Sequence, residues 1–184
     1  MKPVRKTVLS ACIAVLALAA ASCVSPDPPV QKYISDLGSP DAPTVYMALE
    51  KIRKLYPTDP AAQAAIKPLL ADKRINVRRQ AVLTIGAIRA PVNQTDLDNI
   101  AAFLDSKNPN IVFDGLEALR NLDAASEIPR IVPLLQDSHH AVVLESIRAL
   151  AALGDRSLIP TLQPLANSSD KEIRAEAAYA IELL

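Results

Sequence analysis

The sequence of 184 residues contains no tryptophan, six other aromatic residues, four glycines and two cysteines. Sheets favour aromatic and β-branched residues, so a core built largely from alanine, leucine and isoleucine favours closely packed helices. Cys12 and Cys23 are too few for a disulfide framework and wrongly placed for one. The apolar fraction of 50% excludes a disordered chain, and the length suits one domain.

The chain also has no net charge, with 20 basic and 20 acidic side chains. Three of the basic side chains lie near the start of the chain, at Lys2, Arg5 and Lys6, and removal of residues 1–22 leaves 17 basic against 20 acidic residues. A nucleic acid selects a basic face, because its phosphates carry the negative charge. The mildly acidic remainder therefore argues against a nucleic acid as the partner.

The first 22 residues have the composition of a secretory signal peptide. A basic segment, MKPVRKT, is followed by fourteen small or apolar residues without a charge, VLSACIAVLALAAA. This run is shorter than the ~20 residues that a membrane-spanning helix needs and matches the apolar region of a signal peptide.

The apolar run ends at Ala20-Ala21-Ser22-Cys23, which resembles the lipobox of bacterial lipoproteins, where the cysteine thiol receives a diacylglycerol and becomes the new N-terminus. Leu9-Ser10-Ala11-Cys12 fits the usual letters better, but its apolar region would be only about four residues long, against the 7–15 of a signal peptide. We therefore predict a cleaved signal peptide at 1–22 and lipid attachment at Cys23. The alternative is a plain secretory signal cut after Ala21, which leaves Cys23 as a free thiol.

The lipobox resemblance implies a protein anchored to a bacterial envelope membrane. Val24 follows Cys23, and in Gram-negative lipoproteins a residue other than Asp at this position favours the outer membrane, with the protein facing the periplasm. Several acyl chains exceed the two signals that stable anchoring takes. Residues 23–30 contain three prolines and are predicted to form an extended tether at ~3.1 Å per residue.

Residues 31–184 repeat one frame of apolar positions five times, at spacings of 31 to 34 residues. A helical pattern ends at an apolar residue, and a second pattern opens seven residues later, at Thr44, Val77, Ile111, Val142 and Ile173. Four residues after each opening stands a small residue: Ala48, Ala81, Gly115, Ser146 and Ala177. Apolar residues follow one and four positions further on, so that each second pattern carries an apolar stripe on one helix face.

Each unit is therefore a predicted helix–turn–helix that buries its stripe by stacking on its neighbours. The units span approximately 31–57, 58–90, 94–122, 125–153 and 156–184. We expect the small residue to let two helix backbones approach closely. Helix starts are predicted from Pro at first helical positions and from N-caps: Pro43, Pro60, Pro109, Thr95, Ser126 and Ser157.

The last unit, LGDRSLIPTLQPLANSSDKEIRAEAAYAIELL at 153–184, resembles the HEAT repeats of the phycobilisome-lyase type. Ile159-Pro160 matches the Ile-Pro step of that pattern, as Ile128-Pro129 does, and Val77-Arg78 and Ile173-Arg174 match its Val-Arg step. The resemblance implies an all-α fold, a right-handed α-solenoid of about five HEAT-like helix–turn–helix repeats. The family arginine, which pairs with a turn carboxylate, is replaced by Val45, Val112 and Val143, so we expect those units to lack that inter-repeat ionic ladder.

Catalytic motifs are lacking: there is no Gly-x-Ser-x-Gly, no glycine-rich phosphate loop and no recognisable carboxylate pair. Some members of the repeat class are enzymes, namely bilin lyases and a hydroxylase whose metal is held by His-Glu pairs. This chain has no His-Glu dipeptide, and its two histidines, His139 and His140, are neighbours in a predicted turn, where they rarely share one ion. We expect no catalytic residue, no metal and no cofactor. The alternative is an enzyme or enzyme subunit acting on a tetrapyrrole or a protein side chain.

In the family that the chain resembles, the second helices line the concave side of the solenoid. We expect an apolar ribbon with an acidic rim there, formed by Tyr46, Leu83, Phe113, Asp114, Glu117, Leu144, Glu145, Arg148, Glu176 and Tyr179. Such a composition is typical of a groove that binds a protein. Alternatively, several of these residues simply pack against the next repeat.

The predicted function is a non-catalytic, membrane-anchored scaffold or adaptor that binds a protein or peptide of the cell envelope. The last unit ends in AAYAIELL without a polar capping helix in the sequence, so we also expect Leu183 and Leu184 to contact a partner or to form a homodimer.

Lipid attachment at Cys23 is testable by substitution. In cells fed labelled palmitate, Cys23→Ala is expected to abolish the label on the protein and to release it from the membrane fraction, because the thiol is the acceptor. Cys12→Ala is the matched control and should keep both the label and the membrane fraction. If the label follows Cys12 instead, the assignment of the lipidated cysteine is wrong.

Overall fold

The computed structural model describes residues 28–184, so the predicted signal peptide, Cys23 and most of the tether lie outside the described residues. Within that range all regular secondary structure is helical, which confirms the predicted all-α class. The α-helices are α1 (Val30–Asp36), α2 (Ala42–Leu55), α3 (Pro60–Ile66), α4 (Ile75–Ala87), α5 (Gln94–Ala101), α6 (Pro109–Asn121), α7 (Ile128–Ile131), α8 (His140–Leu153), α9 (Ile159–Leu162) and α10 (Lys171–Leu183). None of these helices is long and apolar enough to cross a membrane.

The helices form two layers. The second helices of the units (α2, α4, α6, α8 and α10) pack one on the next in chain order. The first helices (α1, α3, α5, α7 and α9) are short, and the later four are extended by 3₁₀ turns that pack against the second helix of their own unit. The long helices thus form one continuous layer, and the short ones cover one side of it.

The predicted apolar stripe is buried in the first four units. Leu49, Val82, Leu116 and Ile147 are fully buried, as are the stripe residues three positions further on, Ile52, Ile85, Leu119 and Leu150. In the fifth unit the equivalent positions are Ala178, which is exposed, and Ile181, which is half-buried. These two positions lie on the side of α10 that faces away from α8, so the stripe is buried only where another unit packs on it.

Helix starts differ from the prediction in three places. Aspartate or asparagine side chains cap α2, α3, α6 and α10, with Pro at the first or second helical position of the first three. The cap of α5 is Asn93, in a capping box with Asp96, and not Thr95. The backbone N–H of Ser157 donates to Asp155 and Ser126 lies inside a 3₁₀ turn, so neither serine caps an α-helix. At Thr95 and Ser157, an amide or carboxylate oxygen two residues upstream, from Asn93 or Asp155, accepts from the free backbone N–H groups in place of the hydroxyl.

The five predicted small residues are buried, but they do not all serve the contact that we expected. A Cβ added to Gly115 would lie 2.8 Å from Cβ of Phe103, so the glycine makes room for the 3₁₀ turn of its own unit. The close approach between neighbouring second helices lies elsewhere: a Cβ on Gly86 would lie 2.9 Å from Cα of Ala118. The α4–α6 crossing therefore depends on a glycine outside the predicted set.

The chain enters the repeats at a fixed point. Val30 and Tyr33 are buried, and the Tyr33 ring lies 6.1 Å from the Tyr56 ring. The Tyr56 hydroxyl donates a hydrogen bond of 2.9 Å to the carbonyl oxygen of Pro28. The start of the described chain is thus held against the C-terminal end of α2.

Gly86→Val is expected to lower the free energy of unfolding by about 1–3 kcal/mol, the usual cost of overpacking, because the added side chain would meet a backbone atom, Cα of Ala118, at 2.9 Å. Urea unfolding of the full chain measures the change. Gly38→Val is the matched control, since a Cβ there meets only Ser35 O at 3.5 Å. Equal stability of the two variants would show that the α4–α6 crossing does not need glycine.

Candidate functional site

The ten predicted binding residues all lie on the second helices, on the side away from the first helices, here called the second-helix face. Phe113 and Tyr179 are the most exposed of the apolar ones, at 36% and 58%. Tyr46, Leu83 and Leu144 are half-buried between neighbouring second helices. The predicted apolar ribbon is therefore interrupted: two exposed aromatic rings are separated by partly covered side chains.

The acidic residues of this face form a ladder of ion pairs between repeats. Asp114, Glu145 and Glu176 occupy the same frame position in units three, four and five, three residues after the opening of the second helix. Each pairs with an arginine of the preceding second helix. The arginines are Arg79 for Asp114, Arg120 for Glu145 at 2.9 Å, and Arg148 for Glu176, with Nε and Nη2 at 3.1 and 2.9 Å from its two carboxylate oxygens.

The ladder corrects the prediction of an acidic rim. Asp114 is 8% exposed and Glu145 is 2% exposed, so neither presents a free charge to a partner. Glu176 is bound by Arg148. Only Glu117 among the four predicted rim acids is without a partner for its carboxylate within residues 28–184. Sequence reasoning missed Arg79 and Arg120, although the regular recurrence of the acid in the repeat frame was a usable signal.

The ladder also differs from the one that the family pattern implies. Val45, Val112 and Val143, which replace the family arginine, are buried in the core, so an ion pair from that position is absent as expected. Units three and four are nevertheless tied to their neighbours by charge, from other positions of the same helices. Unit two is joined to unit one by Arg74, which lies in the turn before α4. Its guanidinium binds Asp72 and donates to the carbonyl oxygens of Ser39 and Pro40 in unit one.

Glu145 lies at the centre of the ladder. Oε1 is 2.9 Å from Arg120 Nη1, and Oε2 is 3.7 Å from Arg148 Nη1. Burial raises the pKa of the Glu145 carboxyl above its ordinary value of 4.5, and the neighbouring arginines only partly oppose that shift. Arg148 thus stands between two carboxylates, on α8 and α10, and its hydrogen bond to Glu176 raises the pKa of its guanidinium.

Several cavities open on this face, and two of them lie towards its opposite ends. The first, of about 210 Å³, lies between α2 and α4 and is lined by Glu50, Arg53, Gln80, Leu83, Thr84 and Ala87, with Glu117 of α6 at its side. The second, of about 180 Å³, lies between α8 and α10. Its lining combines charged residues of the ladder with apolar ones: Arg120, Arg148, Glu176, Ala151, Ala152, Tyr179, Ala180 and Leu183. The alanines of the second helices leave the space that larger side chains would fill.

The two histidines lie apart from this face, in the exposed turn before α8. His139 Nδ1 is 2.9 Å from Asp137, and His140 Nε2 is 3.2 Å from Asp170, so the rings approach different carboxylates. No group of three histidine, cysteine, aspartate or glutamate residues that could hold a metal ion occurs within the described part of the chain.

The comparisons with known proteins agree with the repeat fold. Residues 97–182 match the family model for HEAT repeats, which confirms the predicted repeat type over that segment. No curated protein matches the sequence.

Solved structures extend the similarity to most of the chain. The complex of CpcE and CpcF of phycocyanin lyase from Nostoc sp. PCC7120 is similar with a TM-score of 0.69 at 20% identity, over 89% of this chain and 67% of that one. A designed armadillo repeat protein in complex with the peptide (KR)4 is similar with a TM-score of 0.63 at 20% identity, over 85% and 82%. An engineered protein gives a TM-score of 0.63 at 20% identity, over 84% and 78%. At this identity the similarity establishes the HEAT and armadillo type of helical repeat fold.

The raised pKa of Glu145 predicts a pH dependence of stability. The folded chain holds the Glu145 proton more tightly than the unfolded chain, so the contribution of this group to the free energy of unfolding falls as pH rises from 4.5 through the raised pKa. Glu145→Gln removes this fall, and its stability relative to the wild type should increase between pH 4 and pH 7. Urea unfolding across that range measures it, with the exposed Glu182→Gln as control. A difference from the wild type that does not change with pH would contradict the raised pKa.

Proposed function

We propose that this chain, whose residues 97–182 are HEAT repeats, is a non-catalytic scaffold or adaptor that binds a protein partner through its second-helix face. We further propose that a lipid on Cys23 holds it at a bacterial envelope membrane, at the outer membrane and facing the periplasm. The observation that carries the binding role is the face itself: five second helices, packed side by side in one layer, present two exposed aromatic rings and open cavities.

The size of the face suits a protein partner. Helices in contact lie 8–10 Å apart, so five second helices span about 40–50 Å. A standard interface needs ~800 Å² per partner, which a surface of this length provides. Phe113 and Tyr179 are exposed, and aromatic residues of both types are enriched in the cores of protein interfaces.

The ion-pair ladder favours binding over catalysis. A general acid or base needs an ionisable group that reaches the reacting atoms. On this face Asp114 and Glu145 are buried and paired, and Glu176 is held by Arg148. These carboxylates join neighbouring repeats and are not available as a general acid or base. We therefore assign the face a role in binding a partner.

Proteins of similar fold support this proposal by what they contact. CpcE and CpcF form a complex with each other, and the designed armadillo protein binds the peptide (KR)4. The similarity to a phycocyanin lyase complex also favours a second candidate, an enzyme subunit that acts on a tetrapyrrole or a protein side chain. A chromophore bound to the purified full chain, seen in its absorption spectrum, would favour that candidate.

The proposed anchor places the repeats close to the membrane. Cys23 precedes Pro28 by five residues, and five residues reach at most about 18 Å. The hydrogen bond from Tyr56 to Pro28 marks the point where that tether meets the folded repeats. The end of the solenoid formed by α1 and α2 is therefore the end nearest the membrane. A contact through Leu183 and Leu184, at the opposite end, remains a prediction.

The binding role is tested by placing charge on the face. Phe113→Asp together with Tyr179→Asp should remove most of a partner that is cross-linked to and purified with the wild-type chain from membranes, because both rings lose their apolar contact. Ala64→Asp, at an exposed position of α3 in the other layer, is the matched control and should retain it. Circular dichroism checks that the double variant and the Ala64→Asp control are folded. If both recover the same amount of partner, the second-helix face is excluded as the binding surface.

A further inference from the structure

One side of α2 differs from the same side of every later second helix. The residue seven positions after the opening of a second helix faces the preceding second helix, as the close approach of Ala118 to Gly86 shows. In units two to five this position is buried and holds Thr84, Ala118, Ala149 and Ala180. In α2 it holds Lys51, and Met47, one turn earlier on the same side, is 62% exposed. Leu55, one turn later, completes a surface here called the N-terminal end face: Met47, Lys51 and Leu55.

The tether meets the solenoid at this face. Leu55 is the last residue of α2 and is 39% exposed, and the next residue, Tyr56, binds the carbonyl oxygen of Pro28. Cys23 lies five residues before Pro28, so a lipid on Cys23 is at most about 18 Å from that point. Met47 is about 12 Å from Leu55 along the helix. The whole N-terminal end face is therefore within reach of the membrane that the lipid would enter.

Charge is unevenly distributed along the solenoid. Residues 23–90 contain ten basic and six acidic side chains, a net charge of +4, and residues 91–184 contain seven basic and fourteen acidic ones, a net charge of −7. Three cations of unit two pair with acids that follow residue 90: Lys67 with Asp96, Arg79 with Asp114 and Arg89 with Asp123. Without these three pairs the two parts still differ in sign, at +1 and −4.

An anionic surface attracts the basic end of such a molecule and repels the acidic end. At physiological salt the field of the surface decays over ~8 Å, so the charges nearest to it decide the orientation. Lys54 lies next to Leu55 and is 64% exposed, and it shares the single carboxylate of Glu50 with Arg53. These two cations therefore exceed their acid. Lys73, in the turn before α4, is also exposed.

The reach of the tether favours lipid over a folded protein as the occupant of this face. A domain of 100 residues has a radius of gyration of about 13 Å, so it is more than about 26 Å across. A second copy of this chain is longer still, at about 40–50 Å for five second helices. Neither fits in the space of about 18 Å that the tether spans between the end face and the bilayer.

We propose that the N-terminal end face docks on an anionic lipid surface, so that α2 lies in the membrane plane and the solenoid stands upright on it. This inference rests on the lipid at Cys23, which belongs to the proposed function, and it adds an orientation. Met47 and Leu55 enter the boundary between head groups and acyl chains, as apolar residues of interfacial helices do. The lysines bring their ammonium groups to the lipid phosphates. The second-helix face then projects sideways, open to a partner.

Two labelled variants compare the ends of the solenoid. Met47→Cys and Leu183→Cys, at residues that are 62% and 58% exposed, each carry the fluorophore NBD on the full chain purified from membranes. The chain without an introduced cysteine gives the background. In vesicles of phosphatidylcholine and phosphatidylglycerol that contain a nitroxide lipid, the label at position 47 should be quenched severalfold more strongly than the label at 183, because only the N-terminal end face reaches the bilayer. Equal quenching at the two positions would overturn the proposal.

Charge variants test the electrostatic part. Lys54→Gln together with Lys73→Gln should lower the quenching at position 47 towards its value in vesicles of phosphatidylcholine alone. Each lysine close to an anionic surface contributes about 1 kcal/mol, so its loss shifts the equilibrium between the docked and the free end face about fivefold. Lys107→Gln together with Lys171→Gln, two exposed lysines of units three and five, is the matched control. Equal loss of quenching in the two double variants would show that net charge, and not the N-terminal end face, decides the contact.

The outcomes separate this inference from the proposed function. If the palmitate label depends on Cys23 but positions 47 and 183 are quenched equally, the anchor stands and the inference is wrong. If the palmitate label is absent but the chain binds the phosphatidylglycerol vesicles with stronger quenching at position 47, the end face is as inferred and the anchor is wrong. A salt-sensitive oligomer in sedimentation, with the label at 47 shielded without vesicles, would assign the end face to the acidic end of a second copy and overturn the inference.

Discussion

The whole structure depends on one constraint: a single helix pair of this chain has no way to bury its own apolar stripe. Leu49, Val82, Leu116 and Ile147 are fully buried because the next second helix lies over them. Ala178, at the same frame position in α10, is exposed. Burial of apolar surface is the main favourable term in folding, so each repeat is stable only with its neighbours. The layer of long helices is the direct result.

The same packing determines what the charged residues do. Stacking brings the residue that lies three positions after the opening of a second helix against the preceding second helix. Asp114, Glu145 and Glu176 occupy this position, and each meets an arginine. Once paired, these groups join repeats and no longer offer charge to a partner. What remains on the face is the shape left by alanines, two exposed aromatic rings, and Glu117 as an unpaired acid. The proposed binding role rests on this remainder.

Much of the architecture was predictable because it depends on local periodicity. The five-fold frame predicted the second helices, the buried stripe and the buried small residues. The errors have two causes, one local and one tertiary. Asn93 caps α5 in place of Thr95. The choice between these two nearby polar residues depends on the geometry of the turn, which the pattern of apolar residues does not reveal. Gly86 was missed because its role depends on where α4 crosses α6, at Ala118.

The sequence by itself determined that this chain is a helical repeat protein and which residues form its core, because a stripe with helical period has only one way to be buried. It also placed Tyr46, Phe113, Glu117 and Tyr179 on one side of the second helices. Only the tertiary structure decided which of the acids there are free. Ion pairs form between residues some 25 to 35 positions apart, and whether a carboxylate meets an arginine or solvent depends on how two repeats rotate against each other.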